Sequence, residues 1–394
     1  MEEPVVIVGA SLAGVSAAKA LRDEGYQDRL IVIGDELHKP YDRPPLSKEL
    51  LLGTADTASL ALPSGSTVEN VEWSLGTRVE SVDFRSKRLE TNSGTVQFGS
   101  LAIATGGRPR RLPHLIPDGQ RIFELRKLED ALGLKTALEK SSSLLIVGSG
   151  FIGVEVASVA VDLGIEVDVV SLDAPLSVAG ERVSTTCEEM LRARGVHLWI
   201  RRSVKAAHEG KAVLDDGTEL AYDTMLVAIG SSPNVEWLAG NDLDLTNGVL
   251  CDAHCAVLGP DGPLDGVVAA GDVARWPNPL FDDRVVRIEH WSNAVEQGRA
   301  AARTLLYGHR SDTAFAAVPS FWSDHCGTRL QSVGIPALAD RLDVVEHDPD
   351  SRNVAIEAFR DDRLIGAQSY GIPRALARVR IRMAREFTAR AEKV

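Results

Sequence analysis

Val5-Val6-Ile7-Val8-Gly9-Ala10-Ser11-Leu12-Ala13-Gly14 stands near the N-terminus, and about 140 residues later a second stretch repeats its plan: Leu144-Leu145-Ile146-Val147-Gly148-Ser149-Gly150-Phe151-Ile152-Gly153. Each begins with a short apolar run that reads as a buried parallel strand. Each then turns through glycines into a helical pattern, the fingerprint of a dinucleotide-binding unit. Two such units imply two dinucleotides, and two redox dinucleotides imply a relay between them.

In the first unit Gly9 permits the tight turn and Gly14 permits close packing of helix on strand. Ser11 replaces the middle glycine, whose usual role is to let the backbone approach a pyrophosphate; a serine is small, and its hydroxyl can itself donate to phosphate. The helix expected over Val15 to Leu21 points its N-terminal amides and dipole at the anion. A strand, Leu30-Ile31-Val32-Ile33-Gly34, leads to Asp35, 21 residues after Gly14, where an acid that bonds a ribose hydroxyl belongs. The second unit keeps Gly148, Gly150 and Gly153. Its next strand, Val167-Asp168-Val169-Val170, ends at Ser171 where an acid is expected, with Asp173 two residues on. No arginine lies between 171 and 178 to hold a 2′-phosphate, so the balance favours NAD(H) over NADP(H).

Composition agrees with a soluble multidomain enzyme. The chain has 394 residues, 44% of them hydrophobic and 25% charged, a length that suggests two or three domains. A net charge of −13 argues against a general nucleic-acid role. Cys187, Cys251, Cys255 and Cys326 are too few for a disulfide framework, which favours a reducing cytoplasm. The apolar N-terminal run follows Glu2 and Glu3 and contains the glycine turn, so it reads as a strand and not a signal peptide. No run of 18 or more apolar residues marks a membrane span.

Several further stretches carry a family resemblance: Pro40-Tyr41-Asp42-Arg43-Pro44-Pro45-Leu46-Ser47-Lys48, Ala104-Thr105-Gly106-Gly107-Arg108-Pro109, Ala228-Ile229-Gly230 with Pro233-Asn234, Ala269-Ala270-Gly271-Asp272, Glu289-His290-Trp291-Ser292-Asn293-Ala294 and Phe321-Trp322-Ser323-Asp324. With these, the chain resembles the FAD-dependent, NADH-using ferredoxin reductases of the glutathione-reductase structural superfamily, which serve Rieske-type oxygenases and cytochromes P450. The matches run from residue 5 to about 370. The resemblance implies an α/β fold: two Rossmann-like, three-layer dinucleotide-binding domains and a small α+β C-terminal domain. Residues 1–110 and 242–317 would form a discontinuous FAD domain, 111–241 an inserted NAD domain, and 318–394 the C-terminal domain. Pro109, Pro113 and Pro117 mark a polar crossing between the two α/β patterns. A helical pattern from Asn293 to Leu306 closes the flavin domain. Leu342-Asp343-Val344-Val345 looks like a strand, and an arginine-rich helix ends the chain.

The resemblance also implies site residues. FAD would lie against Gly9, Ser11, Leu12, Ala13, Gly14, Asp35, Arg43, Lys48, Val79, Ala104, Thr105, Gly106, Arg126, Gly271, Asp272, Trp291 and Trp322. NAD would lie against Gly148, Gly150, Phe151, Ile152, Gly153, Glu155, Asp173 and Gly230. Transfer from nicotinamide to flavin needs no nucleophile, because the cofactor supplies the chemistry and the protein supplies alignment and electrostatics. Lys48 and Glu155 are therefore the expected catalytic pair, beside the flavin N5; a structural ion pair is the plainer reading. Asp272, after the apolar strand Val267–Ala270, would sit at a helix start and accept from a ligand hydroxyl, or simply cap that helix. Buried tryptophans are more often core than contacts, and Arg126 could equally form a surface salt bridge. His325 stands where the family often has a glutamine, and its role is open. Cys251-Asp252-Ala253-His254-Cys255 lacks a second ligand pair at usable spacing, so no metal is expected.

The disulfide reductases of the superfamily carry a cysteine pair on the flavin-side helix. Here the first cysteine is Cys187, so electrons would pass directly to an outside protein. The leading partner is a ferredoxin. A rubredoxin is the alternative acceptor, and an NADH-sensing flavoprotein resembling apoptosis-inducing factor the alternative class. Ferredoxins of such systems are usually acidic. The basic tail, with Arg374, Arg378, Arg380, Arg382, Arg385, Arg390 and Lys393, would then orient encounter, extended by Arg299 and Arg329.

Overall fold

The computed structural model describes residues 3–62, 68–308, 314–348 and 352–391, with side chains described as far as Met383. The chain divides into two compact units: Met1–Asp42, Ala61–Arg108 and Ser232–Ser320 form the first, and Arg43–Leu60, Pro109–Ser231 and Phe321–Val394 the second.

The first unit is built on a six-stranded sheet. Val5–Val8 lies in its middle, pairing in parallel with Leu30–Gly34 on one side and Ser100–Ile103 on the other. Gly262–Ala269 and Glu72–Leu75 extend the parallel array, and Ala256–Gly259 adds an antiparallel edge. The central strands are buried along their length, which is why they read as continuous apolar runs. The helices Leu12–Asp23 and Trp291–Tyr307 share one apolar core with this sheet. Their close approach depends on Gly298, where an added Cβ would stand 2.5 Å from the Ala13 carbonyl oxygen. The meander Val79–Asp83, Arg88–Thr91 and Gly94–Gln97 contributes Val79, Val82 and Leu89 to the same core.

The second unit contains a five-stranded parallel sheet. Ser143–Val147 pairs with Glu166–Ser171 and Thr224–Val227, flanked by His197–Ile200 and Ile122–Phe123. The helix Phe151–Asp162 follows its glycine turn. The antiparallel strands Val204–His208, Lys211–Leu214 and Glu219–Ala221 join Leu145, Val147 and Met225 in a shared apolar cluster. The C-terminal part is mostly sheet, in the order Ser320–His325, Thr328–Gly334, Arg363–Tyr370, Asn353–Arg360, Arg341–Asp348. The helix Pro373–Ala391 buries Leu376, Val379 and Met383, a helical spacing that faces this sheet.

Three local expectations shift. The first helix begins at Leu12, not Val15, so the residues after Ser11 supply the N-terminal amides. No α-helix starts at Asp272; Gly271–Val273 is a single 3-10 turn that runs directly into the strand Ala274–Asn278. The Leu342–Val345 segment does form a strand, but as an outer edge with Leu342, Val344 and Val345 exposed. In the tail, Lys393 and the side chains of Arg385 and Arg390 lie outside the described residues. No described helix is long and apolar enough to cross a membrane.

Candidate functional site

In the first unit the glycine turn is closed by backbone contacts that leave no room for a side chain. A Cβ at Gly9, where φ is +124°, would stand 2.0 Å from the Ala104 carbonyl oxygen, and one at Gly14 would stand 1.9 Å from that of Gly9. Ser11 is different: its φ is −128°, open to any residue, which explains why the middle glycine can be replaced. Its hydroxyl makes no cap on the helix of Leu12 and Ala13. Asp35 follows the last residue of its strand and is exposed. Thr105 Oγ1 donates to the Asn234 carbonyl oxygen at 2.8 Å, Asn234 Nδ2 returns a bond to Thr105 O at 2.9 Å, and Asn234 N donates to Gly106 O at 3.0 Å.

The Gly271-Asp272 step is drawn to the same place. A Cβ on Gly271 would stand 2.8 Å from the Ala13 Cβ. Gly271 N donates to Gln297 Oε1 at 2.9 Å, and Arg287 Nη1 donates to the Asp272 carbonyl oxygen at 2.9 Å. Among the described residues, Asn293 Oδ1 and Gln297 Nε2 are buried without a hydrogen-bond partner. Burial pushes the His290 imidazole down to about 4, against the pull of Asp272 and Glu289, so it is neutral at pH 7. Trp291 Nε1 donates to Asp42 Oδ1 at 2.8 Å, and the Val79 side chain lies in the core.

In the second unit the glycine turn repeats the first. A Cβ at Gly148 would meet the Ala228 carbonyl oxygen at 2.4 Å, and one at Gly153 would meet that of Gly148 at 2.2 Å. Gly150 has nothing within 4 Å of such an atom, so its missing side chain leaves open space at the N-terminus of the helix that begins at Phe151. Ile152 is 38% exposed on that first turn. Gly230 accepts from Arg110 N at 2.9 Å. Ser171, where an acid was expected, is tied to the turn instead: Ser149 Oγ donates to Ser171 Oγ at 2.8 Å and lies 3.2 Å from the Asp173 carbonyl oxygen. Beyond it opens a cavity of about 470 Å³ lined by Leu172, Asp173, Ala174, Glu188, Ile200 and Arg201. Arg201 follows the neighbouring strand His197–Ile200, so a count of arginines over 171–178 misses it.

Lys48 and Glu155 meet in this unit. Lys48 Nζ lies 2.9 Å from Glu155 Oε2, with the residues only 9% and 5% exposed. Ser47 Oγ donates to the same oxygen at 2.5 Å, and Ser323 Oγ donates to Glu155 Oε1 at 2.6 Å. The Lys48 ammonium also donates to the Pro44 carbonyl oxygen at 3.2 Å. Ser47 and Ser323 stand inside the stretches that carry the resemblance, but a serine between recognisable neighbours gives no signal of its own. Arg43 Nη1 donates to the Arg126 carbonyl oxygen at 2.6 Å, and Arg126 N donates to Asp130 Oδ2 at 3.0 Å. Phe151 packs edge-on against Phe321 at 4.9 Å, while Trp322, the next residue on the strand, is 37% exposed.

These features fit two dinucleotides. The helix of Leu12–Asp23 and the helix of Phe151–Asp162 each follow a turn closed by backbone carbonyl oxygens, and Gly150 keeps the second approach open. The buried Asn293 and Gln297 atoms offer polar partners beside Asp272 for a hydroxylated chain. All four cysteines are free; burial pushes the Cys187 thiol up to about 12 and raises those of Cys251, Cys255 and Cys326. None of them is a reactive thiolate at neutral pH.

The family described as pyridine nucleotide-disulphide oxidoreductase matches residues 3–298, and that described as reductase C-terminal matches residues 320–394. The ferredoxin–NAD(+) reductase component of the biphenyl dioxygenase system of Paraburkholderia xenovorans (strain LB400) is 34% identical over 85% of this chain and 81% of its own length. A rubredoxin–NAD(+) reductase of Pseudomonas putida is 33% identical over 94% of this chain and 96% of its own. The crystal structure of a covalent putidaredoxin reductase–putidaredoxin complex superposes with a TM-score of 0.88 at 30% identity, covering 97% of this chain and 93% of that one.

Proposed function

This chain belongs to the pyridine nucleotide-disulphide oxidoreductase family, and from that premise we propose that it is an NADH-dependent ferredoxin reductase whose iron–sulfur partner serves a cytochrome P450 or Rieske-type oxygenase. FAD, when bound, supplies a carrier that takes electrons in pairs from NADH and releases them singly to the iron–sulfur protein. One observation carries the reading: two glycine turns of the same geometry sit in one chain whose thiols are all free and protonated. Two dinucleotides can exchange electrons there, and no cysteine can relay them onward.

The chain's own residues bind and orient. Residues 1–110 and 242–317 hold FAD: the Leu12 helix faces the pyrophosphate, Asp35 takes the adenosine ribose, and Asp272 accepts from the flavin side chain. Arg43, Arg126, Val79, Ala104, Thr105, Gly106, Trp291 and Trp322 complete the surround. Residues 111–241 hold NADH over Gly150, with Asp173 at its adenosine ribose. Residues 318–394 support Glu155 through Ser323. Lys48 and Glu155 are the catalytic pair, held together and shielded from water. Four free cysteines suit a reducing cytoplasm.

The test is direct. The purified protein should be yellow with non-covalent FAD, and NADH should drive cytochrome c reduction only when a ferredoxin is added. Turnover with rubredoxin alone would move the assignment to the rubredoxin reductases. A long-lived NADH complex without acceptor turnover would make the chain a sensor. Glu155→Ala should slow reduction of the bound flavin by NADH in a single turnover while FAD stays bound.

A further inference from the structure

Behind Glu155 a line of buried polar groups runs into the C-terminal sheet. Ser323 and His325 are two apart on the strand Ser320–His325, so both face inward, and they are 1% and 2% exposed. Ser323 Oγ lies 2.6 Å from Glu155 Oε1 and 3.4 Å from His325 Nδ1. His325 Nε2 lies 2.5 Å from the hydroxyl of Tyr370, a fully buried residue on Arg363–Tyr370. The line ends at that hydroxyl, which has no exposed surface.

The proton positions follow from the chemistry of each group. A carboxylate only accepts, so the single Ser323 hydroxyl proton belongs in its shorter bond, to Glu155. The Ser323 oxygen can then only accept from His325, which must carry its proton on Nδ1. Burial pushes the imidazole down to about 4, against Asp324 and with Lys48, so at pH 7 it holds one proton and Nε2 is bare. Nε2 therefore accepts from Tyr370. Every donor in the line points the same way, towards Glu155. With its far end at the buried Tyr370, the line is not a route for protons from solvent.

We propose that His325 is a positioning residue of the Lys48–Glu155 pair: locked as the Nδ1–H tautomer by Tyr370, it directs the Ser323 hydroxyl onto Glu155 Oε1 and so fixes the carboxylate in the rotamer that meets Lys48. The role in turnover rests on the catalytic reading of that pair; the hydrogen-bond order does not.

Two measurements on the FAD-loaded protein separate these. Nitrogen-15 NMR of labelled histidine should find His325 neutral at pH 7 with its proton on Nδ1; a proton on Nε2 overturns the proposal whatever the activity. In single-turnover reduction by NADH, His325→Leu should slow the limiting rate about tenfold with little change in NADH affinity. His325→Gln, which keeps a donor and an acceptor, should restore most of the rate. In a Glu155→Gln background, His325→Leu should have less than about a twofold effect, because there is no carboxylate left to aim. Ser323→Ala, a smaller change, should slow reduction as His325→Leu does, and serves if the leucine variant does not fold. Equal rates in the His325→Leu, Ser323→Ala and parent proteins, or an undiminished effect without the carboxylate, would overturn the positioning role. If Glu155→Gln itself reduces at the parent rate, the catalytic reading of the pair fails while the tautomer result stands.

Discussion

Lys48, 9% exposed, has Glu155 facing it at 2.9 Å, and the carboxylate accepts on both oxygens, from Ser47 and Ser323. Removing one ion strands the other in a low-dielectric site, a loss of about 3–5 kcal/mol, whereas removing both leaves apolar surface that packs. Lys48→Met should therefore destabilise the protein more than the double variant Lys48→Met/Glu155→Leu does, and denaturant midpoints of the two will show it. A double variant that is worse than the single would mean the pair itself contributes net stability. Asp272 makes a separate case. It lies beside the buried, unpartnered Asn293 and Gln297 atoms, and Asp272→Ala should weaken FAD retention by roughly 1.5–3 kcal/mol, the worth of a charged hydrogen bond. Fluorescence of flavin released on dilution measures it, and parent-like retention would remove Asp272 from the site.

At the level of elements, the cavity beyond Glu166–Ser171 gathers side chains from three of them: Asp173 after that strand, Glu188 from the helix Glu181–Ala193, and Arg201 after His197–Ile200. A carboxylate there suits a ribose 2′-hydroxyl, and a guanidinium suits a 2′-phosphate. Both are exposed, so each is screened and weighs modestly. Arg201→Ala should lower kcat/KM for NADPH relative to NADH by about threefold, and Asp173→Ala should move the ratio the other way by a similar factor. If neither substitution changes the ratio, the adenosine end of the nucleotide does not occupy this cavity.

For the whole molecule, a net charge of −13 would repel an acidic ferredoxin unless a basic surface receives it. The tail helix is that surface only in part. Arg374 pairs with Glu346 at 2.6 Å, and Arg382 reaches Glu357 at 3.4 Å while lying over the Phe359 ring at 5.8 Å. Those two arginines hold the helix to its own sheet. Arg378 is exposed on the same helix and is the cleaner probe. If the tail docks ferredoxin, Arg378→Glu should raise the apparent KM for it at low salt and spare ferricyanide reduction, with the difference fading above about 0.1 M salt as screening sets in. A parent-like KM at low salt would place docking elsewhere.

The sequence by itself determined the parallel central strands of the two sheets and their glycine turns, because a strand buried on both faces must be apolar throughout and a turn closed by backbone admits only glycine. It also showed that the middle glycine was expendable in one unit, though the reason, a negative φ at Ser11, needed the structure. The resemblance named Lys48 and Glu155; their 2.9 Å approach came only with tertiary structure. So did the contacts of Ser47, Ser323, His325 and Tyr370, since strand alternation tells that Ser323 and His325 share a face but not what lies opposite. Arg201 was hidden because strands adjacent in a parallel sheet are distant in the chain, with the helix Glu181–Ala193 between. The 3-10 turn at Asp272 was misread as a helix start because one turn and the first turn of a helix look alike in sequence, and only the strand that follows decides between them.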